Sequence, residues 1–120
     1  MPSTRSEPPL DALIDILRNI DLARSFVEGF TLAEFRKDIR TVYAATRCLE
    51  VISEASRRLP KDMKLRHQDI PWSDIAGAGN IYRHDYEDVL EEIIWHTIHN
   101  ALGPLRAAVE GELATLDKSG

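Results

Sequence analysis

What this chain lacks narrows its class before any motif is read. Cysteine is nearly missing: Cys48 is the single one among 120 residues, which excludes an intramolecular disulfide and offers no zinc pattern. No apolar run reaches the length of a bilayer span, and no stretch has the alternation of a half-buried strand. There is no glycine-rich loop followed by Lys-Ser or Lys-Thr and no Gly-x-Ser-x-Gly elbow, so the chain has no sign of being a nucleotidyltransferase. An excess of positive charge is missing too. The 15 basic and 20 acidic residues leave −5, which argues against holding nucleic acid by bulk electrostatics. Residues 1–9 (MPSTRSEPP) lack an apolar h-region and read as a disordered leader, not a secretory signal. A cytoplasmic protein without membrane contact is the expectation.

What is present is helical periodicity, in a chain of one-domain length. Leu10, Leu13, Ile14, Leu17, Ile20 and Val27 recur at helical spacing, with Gly29 as the stop. Thr31 and Glu34 make a capping-box pattern. Leu32, Phe35, Ile39, Val42, Thr46, Leu49 and Ile52 then trace a second stripe, with a break expected near Lys37 and Asp38 and an end at Pro60. Cys48 falls inside it, as a small buried residue and not a reactive thiol. Residues 60–71 have no period and read as a connector, with Trp72 expected to anchor it and Ser73 or Asp74 to cap a third helix. Val89, Ile93, Ile94, Ile98 and Leu102 form another stripe. Gly103 and Pro104 interrupt it, and Leu105, Val109, Leu113 and Leu116 resume it, with Pro104 opening a final helix. The fold class is all-α, an up-and-down bundle of four to five helices. The domain spans 10–116, with a frayed tail at 117–120.

Charge is unevenly placed along this frame. Residues 57–67 carry Arg57, Arg58, Lys61, Lys64 and Arg66 against Asp62 alone, a local balance of +4. Residues 85–92 carry Asp85, Glu87, Asp88, Glu91 and Glu92 and no base, −5. Such poles suit a polar partner, and they suit a solvated connector and helix start equally well.

Just ahead of the acidic pole lies the stretch from Gly79 to Tyr86, where an amide, an imidazole, a guanidinium and two phenols crowd together. At about 100° per residue, a continuous helix places Arg83 about 40° round from position 79 and His84 about 140°. Asn80 and His84, four apart, share a face. Metal-free RNA cleavage needs a base for the 2′-hydroxyl, an acid for the leaving oxygen and donors on the phosphoryl oxygens. His84 titrates near neutrality and can do either proton job. Arg83 has the fork that fits phosphate, Asn80 can orient phosphate or base, and Tyr82 or Tyr86 can stack or donate. Tyr82 fits core packing or a dimer contact equally well. Two copies related by a twofold axis would bring two His84 side chains to one groove. Arg57, Arg58, Lys61, Lys64 and Arg66 would then flank it as RNA contacts. Glu92, His96 and His99 have a spacing that can bind metal on a helix face, but no further ligands accompany them. No metal or other cofactor is expected.

The residues now quoted carry a resemblance. The stretch Trp72–Tyr86 (WSDIAGAGNIYRHDY), followed by Val89, Trp95 and Ala101–Leu105 (ALGPL), is similar to the HepT-like toxins of the HEPN superfamily. Glu50–Ser56 (EVISEAS) resembles their Gly-Glu-Ala segment, with Ser53 where they have glycine. The resemblance runs from about Leu10 to Val109. It implies a helical, homodimeric, metal-independent ribonuclease, paired with an MntA-like nucleotidyltransferase antitoxin. It assigns His84 and Tyr86 to the family's histidine and tyrosine, and makes Tyr86 the residue to which the antitoxin attaches AMP. The family's arginine falls on position 79, which is glycine here. A positioned arginine at a phosphoryl group can be worth on the order of 10³-fold. Three readings of that departure stand: a crippled toxin, compensation by Arg83, or a HEPN-like dimeric module that binds its nucleotidyltransferase partner without cutting.

Overall fold

The computed structural model describes residues 3–83 and 87–119, with side chains from 9–79 and 90–116. Seven α-helices follow in order among them: α1 (Ser3–Val27), α2 (Leu32–Lys37), α3 (Ile39–Arg57), α4 (Lys61–Leu65), α5 (Trp72–Arg83), α6 (Glu87–His96) and α7 (Leu102–Ser119). A π-helical turn at Thr97–Ala101 joins the last two. No strand occurs among the described residues, and the chain is all-α. Four elements do most of the packing: α1, α3, α5, and the α6–α7 run. The short α2 and α4 serve as corners.

The core face of α1 is Leu13, Ile16, Ile20, Ala23 and Val27, none more than 4% exposed. Their three-and-four spacing keeps one stripe against α3 and α7. This corrects part of the expected stripe. Leu10 and Ile14 are each 37% exposed, because the face that closes on α3 runs through Ile16 and Ala23 instead. The helix begins at Ser3, inside the stretch expected as a leader, while its core contribution starts at Ala12. Gly29 follows its end with φ +82°, a left-handed turn that suits glycine.

Two caps then set the next corner. Thr31 Oγ1 accepts from Glu34 N at 3.1 Å while Thr31 N donates to Glu34 Oε1 at 2.9 Å, the capping box read from the sequence. Asp38 both closes α2, donating its N–H to Phe35 O at 3.1 Å, and opens α3, accepting from Thr41 N at 3.1 Å. The break expected near Lys37 and Asp38 is therefore one residue capping in both directions. Ile39, placed on the stripe by its period, is 67% exposed, since it is the first residue of α3 and stands ahead of the core. Cys48 is buried, and burial pushes its thiol up from the ordinary range.

The connector is more organised than its lack of period suggests. Met63 on α4 and Ile70 beyond it are buried. The Trp72 indole N–H donates to the carbonyls of Lys64 (3.2 Å) and His67 (2.9 Å), which anchors the connector to the start of α5. That helix begins at Trp72 itself, so Ser73 and Asp74 stand in its first turn and do not cap it. Gly103 and Pro104 cause no break either, and Pro104 is the third residue of α7. A proline there cannot donate back into the preceding turn. The turn before it is π-helical, the wider winding that absorbs such an interruption. Among the described residues no helix is long and apolar enough to cross a membrane.

The connector is tied to α7 by a charge pair that periodicity does not show. Glu112 is 8% exposed and accepts from Arg66 Nε at 3.1 Å and Nη2 at 2.8 Å. His67 Nε2 lies 2.7 Å from Oε2, the oxygen that also accepts from Arg66 Nε. The Arg66 hydrogen bonds, and after them the His67 contact, hold the Glu112 carboxyl below the usual carboxylate range. A depressed folded pKa adds stability above the unfolded value of about 4.3, and that stability is lost as pH falls through the lower folded value. Glu112→Gln is expected to cost about 2 kcal/mol at neutral pH. In urea unfolding measured across pH, its deficit relative to wild type should shrink as pH drops below about 4.

Candidate functional site

Position 79 faces α3 and is buried. The Ser53 hydroxyl on α3 donates to Ala76 O at 3.0 Å and accepts from Gly79 N at 3.2 Å. One turn further along α3, Arg57 crosses to the same carbonyl, with Nε at 3.1 Å and Nη2 at 2.8 Å from Ala76 O. Its Nη1 meets Glu54 at 3.1 Å. A Cβ at position 79 would stand 3.1 Å from Ser53 Oγ and 3.5 Å from Arg57 Nη2. Glycine is therefore what lets this backbone meet a serine hydroxyl directly. Gly77, by contrast, has open space around it, and nothing in the structure explains it.

The residues singled out from the sequence distribute as follows. Asn80, Tyr82 and Arg83 have their backbone in α5, so the helix runs unbroken from Trp72 through Arg83, while their side chains lie outside the described residues. His84 and Tyr86 lie outside the described residues altogether. The basic segment is dispersed. Arg57 turns to α5, Arg58 reaches Asp15 on α1 at 2.9 Å, and Arg66 is engaged by Glu112 and by Asp62 at 3.7 Å. No ion pair joins Lys61 or Lys64 to a described residue.

Of Glu92, His96 and His99, the first and last are engaged elsewhere. Glu92 pairs with Arg36 on α2. The His99 ring sits 4.1 Å from that of Trp95, with Nδ1 2.8 Å from Trp95 O. Trp95 in turn leans on Phe35 at 5.4 Å. Among the described residues no three His, Cys, Asp or Glu groups converge as metal ligands would. Beside α5 lies an apolar cavity of about 240 Å³, lined by Leu49, Ile52, Ile75, Ala78, Ile93 and Leu105 among others.

With this geometry in hand, the comparisons decide the family. The family model described as "Ribonuclease HepT-like" matches residues 16–111, which takes in α3, α5 and the whole stretch from Asn80 to Tyr86. The chain belongs to the HepT-like ribonuclease family. It is 33% identical over 100 residues to a Thermococcus cleftensis protein named probable ribonuclease HepT, covering 83% of this chain and 91% of that one. It is 34% identical over 102 residues to a protein of Caldanaerobacter subterraneus subsp. tengcongensis named as an RNase, covering 85% and 91%. A Methanocaldococcus jannaschii protein, also named as an RNase, is 38% identical over 88 residues, 73% of each chain. No solved structure matches the chain.

The resemblance to HepT-like toxins read from Trp72–Tyr86 thus holds at the level of the family. The structure adds what the sequence did not show: the two positions at which the chain departs from the motifs quoted for that resemblance, 53 and 79, touch each other. Glycine in a helix interior costs about 1 kcal/mol relative to alanine, and here the Ser53 hydrogen bonds offset it. Gly79→Ala should therefore be neutral or destabilising while Ser53 is present. In a Ser53→Ala background it should stabilise by about 1 kcal/mol. Urea unfolding of the four proteins measures this coupling, and equal effects of Gly79→Ala in both backgrounds would rule Ser53 out as the reason for the glycine.

Proposed function

We propose that this chain is the toxin of a HepT/MntA-type toxin–antitoxin pair, an RNA endonuclease that works without metal and uses His84 as its proton-transfer group. The family match across residues 16–111 carries the reading, because it spans the one stretch whose side chains have the required chemistry. In the proposed step the 2′-oxygen loses its proton to one imidazole and bonds to the adjacent phosphorus. The bond from phosphorus to the 5′-oxygen breaks, and that oxygen takes a proton from a second imidazole. The products are a 2′,3′-cyclic phosphate and a 5′-hydroxyl. A homodimer supplies the two imidazoles as His84 from each copy. Asn80 orients the phosphate or base, and Tyr82 offers a stacking face. With EDTA present, purified protein should cleave RNA, and His84→Ala should lower the rate by about 10²- to 10⁴-fold. Cleavage that survives His84→Ala overturns the assignment.

Tyr86 is the regulatory position in this reading. An AMP group on its phenol would set a phosphate and a base beside His84 and close the site. Incubation with the MntA-like nucleotidyltransferase and ATP should yield an AMP-modified peptide containing Tyr86 by mass spectrometry. A peptide that stays unmodified, while the partner demonstrably turns over ATP, counts against it.

A second reading, a dimeric HEPN-like module that binds the nucleotidyltransferase without cutting, is favoured by Gly79 standing where the resembled motif has arginine. The same cleavage assay separates the two.

A further inference from the structure

We propose that Arg57, entering from α3, is the guanidinium that holds the RNA phosphate at this site, with Ser53 as the positioning residue that brings α5 within its reach. The inference rests on the ribonuclease reading and names the phosphate-binding group within it.

Geometry carries it. Arg57 Nη2 stands 3.5 Å from where a Cβ at position 79 would be, one residue before Asn80. Its Nε and Nη2 both rest on Ala76 O, which fixes the plane of the guanidinium against the turn of α5 that leads into the Asn80–Tyr86 stretch. A guanidinium has five N–H donors. Among the described residues Ala76 and Glu54 engage three of them, which leaves two on the terminal nitrogens, on a side chain that is 40% exposed. Two N–H groups on adjacent terminal nitrogens are the fork that a phosphate takes. The Glu54 contact is a surface pair three residues away along the same helix, at 59% exposure. A pair of that kind is weak and yields to a better anion. Arg58 and Arg66, the other arginines of the basic segment, point to Asp15 and Glu112.

The same contacts bear on an arginine grafted onto α5 at position 79. Its Cβ would meet Ser53 Oγ at 3.1 Å, a crowded contact that asks Ser53, and with it the bonds to Ala76 O and Gly79 N, to shift by a few tenths of an ångström. Gly79→Arg alone therefore crowds the seam that positions Arg57.

The test uses the full chain and a short 2′-O-methyl oligoribonucleotide, which binds but cannot be cut. Arg57→Gln is compared with Arg47→Gln, which removes the same charge from the same helix at a side chain that is 75% exposed. Expected for Arg57→Gln are about tenfold weaker binding and a salt slope lower by about 0.7, the value for one phosphate contact on a single strand. Arg47→Gln should change neither. Glu54→Gln should tighten binding about twofold to threefold by releasing Arg57, and it covers the case in which Arg57→Gln fails to fold. Wild-type binding with equal slopes in Arg57→Gln and Arg47→Gln overturns the role of Arg57 and leaves the ribonuclease reading standing. Unchanged affinity in Glu54→Gln also counts against Arg57. A wild-type chain that binds no oligoribonucleotide overturns both.

Discussion

The Ser53 hydroxyl is the contact on which the rest of the site depends. Through one oxygen it joins Ala76 O and Gly79 N of α5 to the last third of α3. A hydroxyl reaches two backbone groups of a neighbouring helix only if that backbone comes within hydrogen-bond distance, and glycine at 79 leaves this approach uncrowded, since a Cβ would stand 3.1 Å from Ser53 Oγ. Each such bond is worth about 0.5–1.5 kcal/mol net, enough to offset the helix penalty of glycine at about 1 kcal/mol. Ser53 and Arg57 are four residues apart and share a face of α3. Ala76 and Gly79 are three apart on α5. The four residues form a single seam, and the placement of the Arg57 guanidinium follows from it.

The seam has a counterpart at the start of α5. Trp72 holds that end to the carbonyls of the connector, and Arg66 and His67 hold the connector to Glu112 on α7. A chain of polar ties thus runs from α7 through the connector to α5 and on to α3. Helix α5 is thus held at its first turn and again near its middle. The two ties differ in kind. The Ser53 contacts are neutral and indifferent to pH, whereas the Glu112 cluster depends on an ionised carboxylate.

Features local in sequence were legible, and features joined across the chain were not. The Thr31–Glu34 box, the Asp38 break and the Trp72 anchor each involve residues a few positions apart, and their chemistry can be read directly. The face of α1 was read partly amiss because Leu10 and Ile14 fit a helical period as well as Ile16 does, and only the packing of α3 chooses between them. Glu112 lies 46 residues from Arg66, and no local pattern tells which acid a connector arginine will meet. Ser53 and Gly79 are 26 residues apart. Each was visible as a departure from the motifs quoted for the resemblance, yet nothing in the sequence said that the two departures are one event in space. What the sequence could not show was that Arg57 of α3 comes to lie against the turn of α5 that precedes Asn80–Tyr86.

That route bears on how an acidic chain can meet a polyanion at all. A net charge of −5 attracts no RNA from a distance, and exposed charges are screened over about 8 Å at physiological salt. The +4 balance of residues 57–67 shrinks on folding, because Asp15 and Glu112 take up Arg58 and Arg66. Recognition must then come at contact, and contact favours a group whose orientation is already set. An arginine side chain carries about 2 kcal/mol of rotamer entropy. When the guanidinium rests on Ala76 O, much of that entropy is lost during folding and would not be charged again on binding the proposed phosphate. Anchoring the cation on a carbonyl of α5 itself also ties its position to the helix that leads into His84. In the proposed reading, phosphate grip and proton transfer would then share one frame.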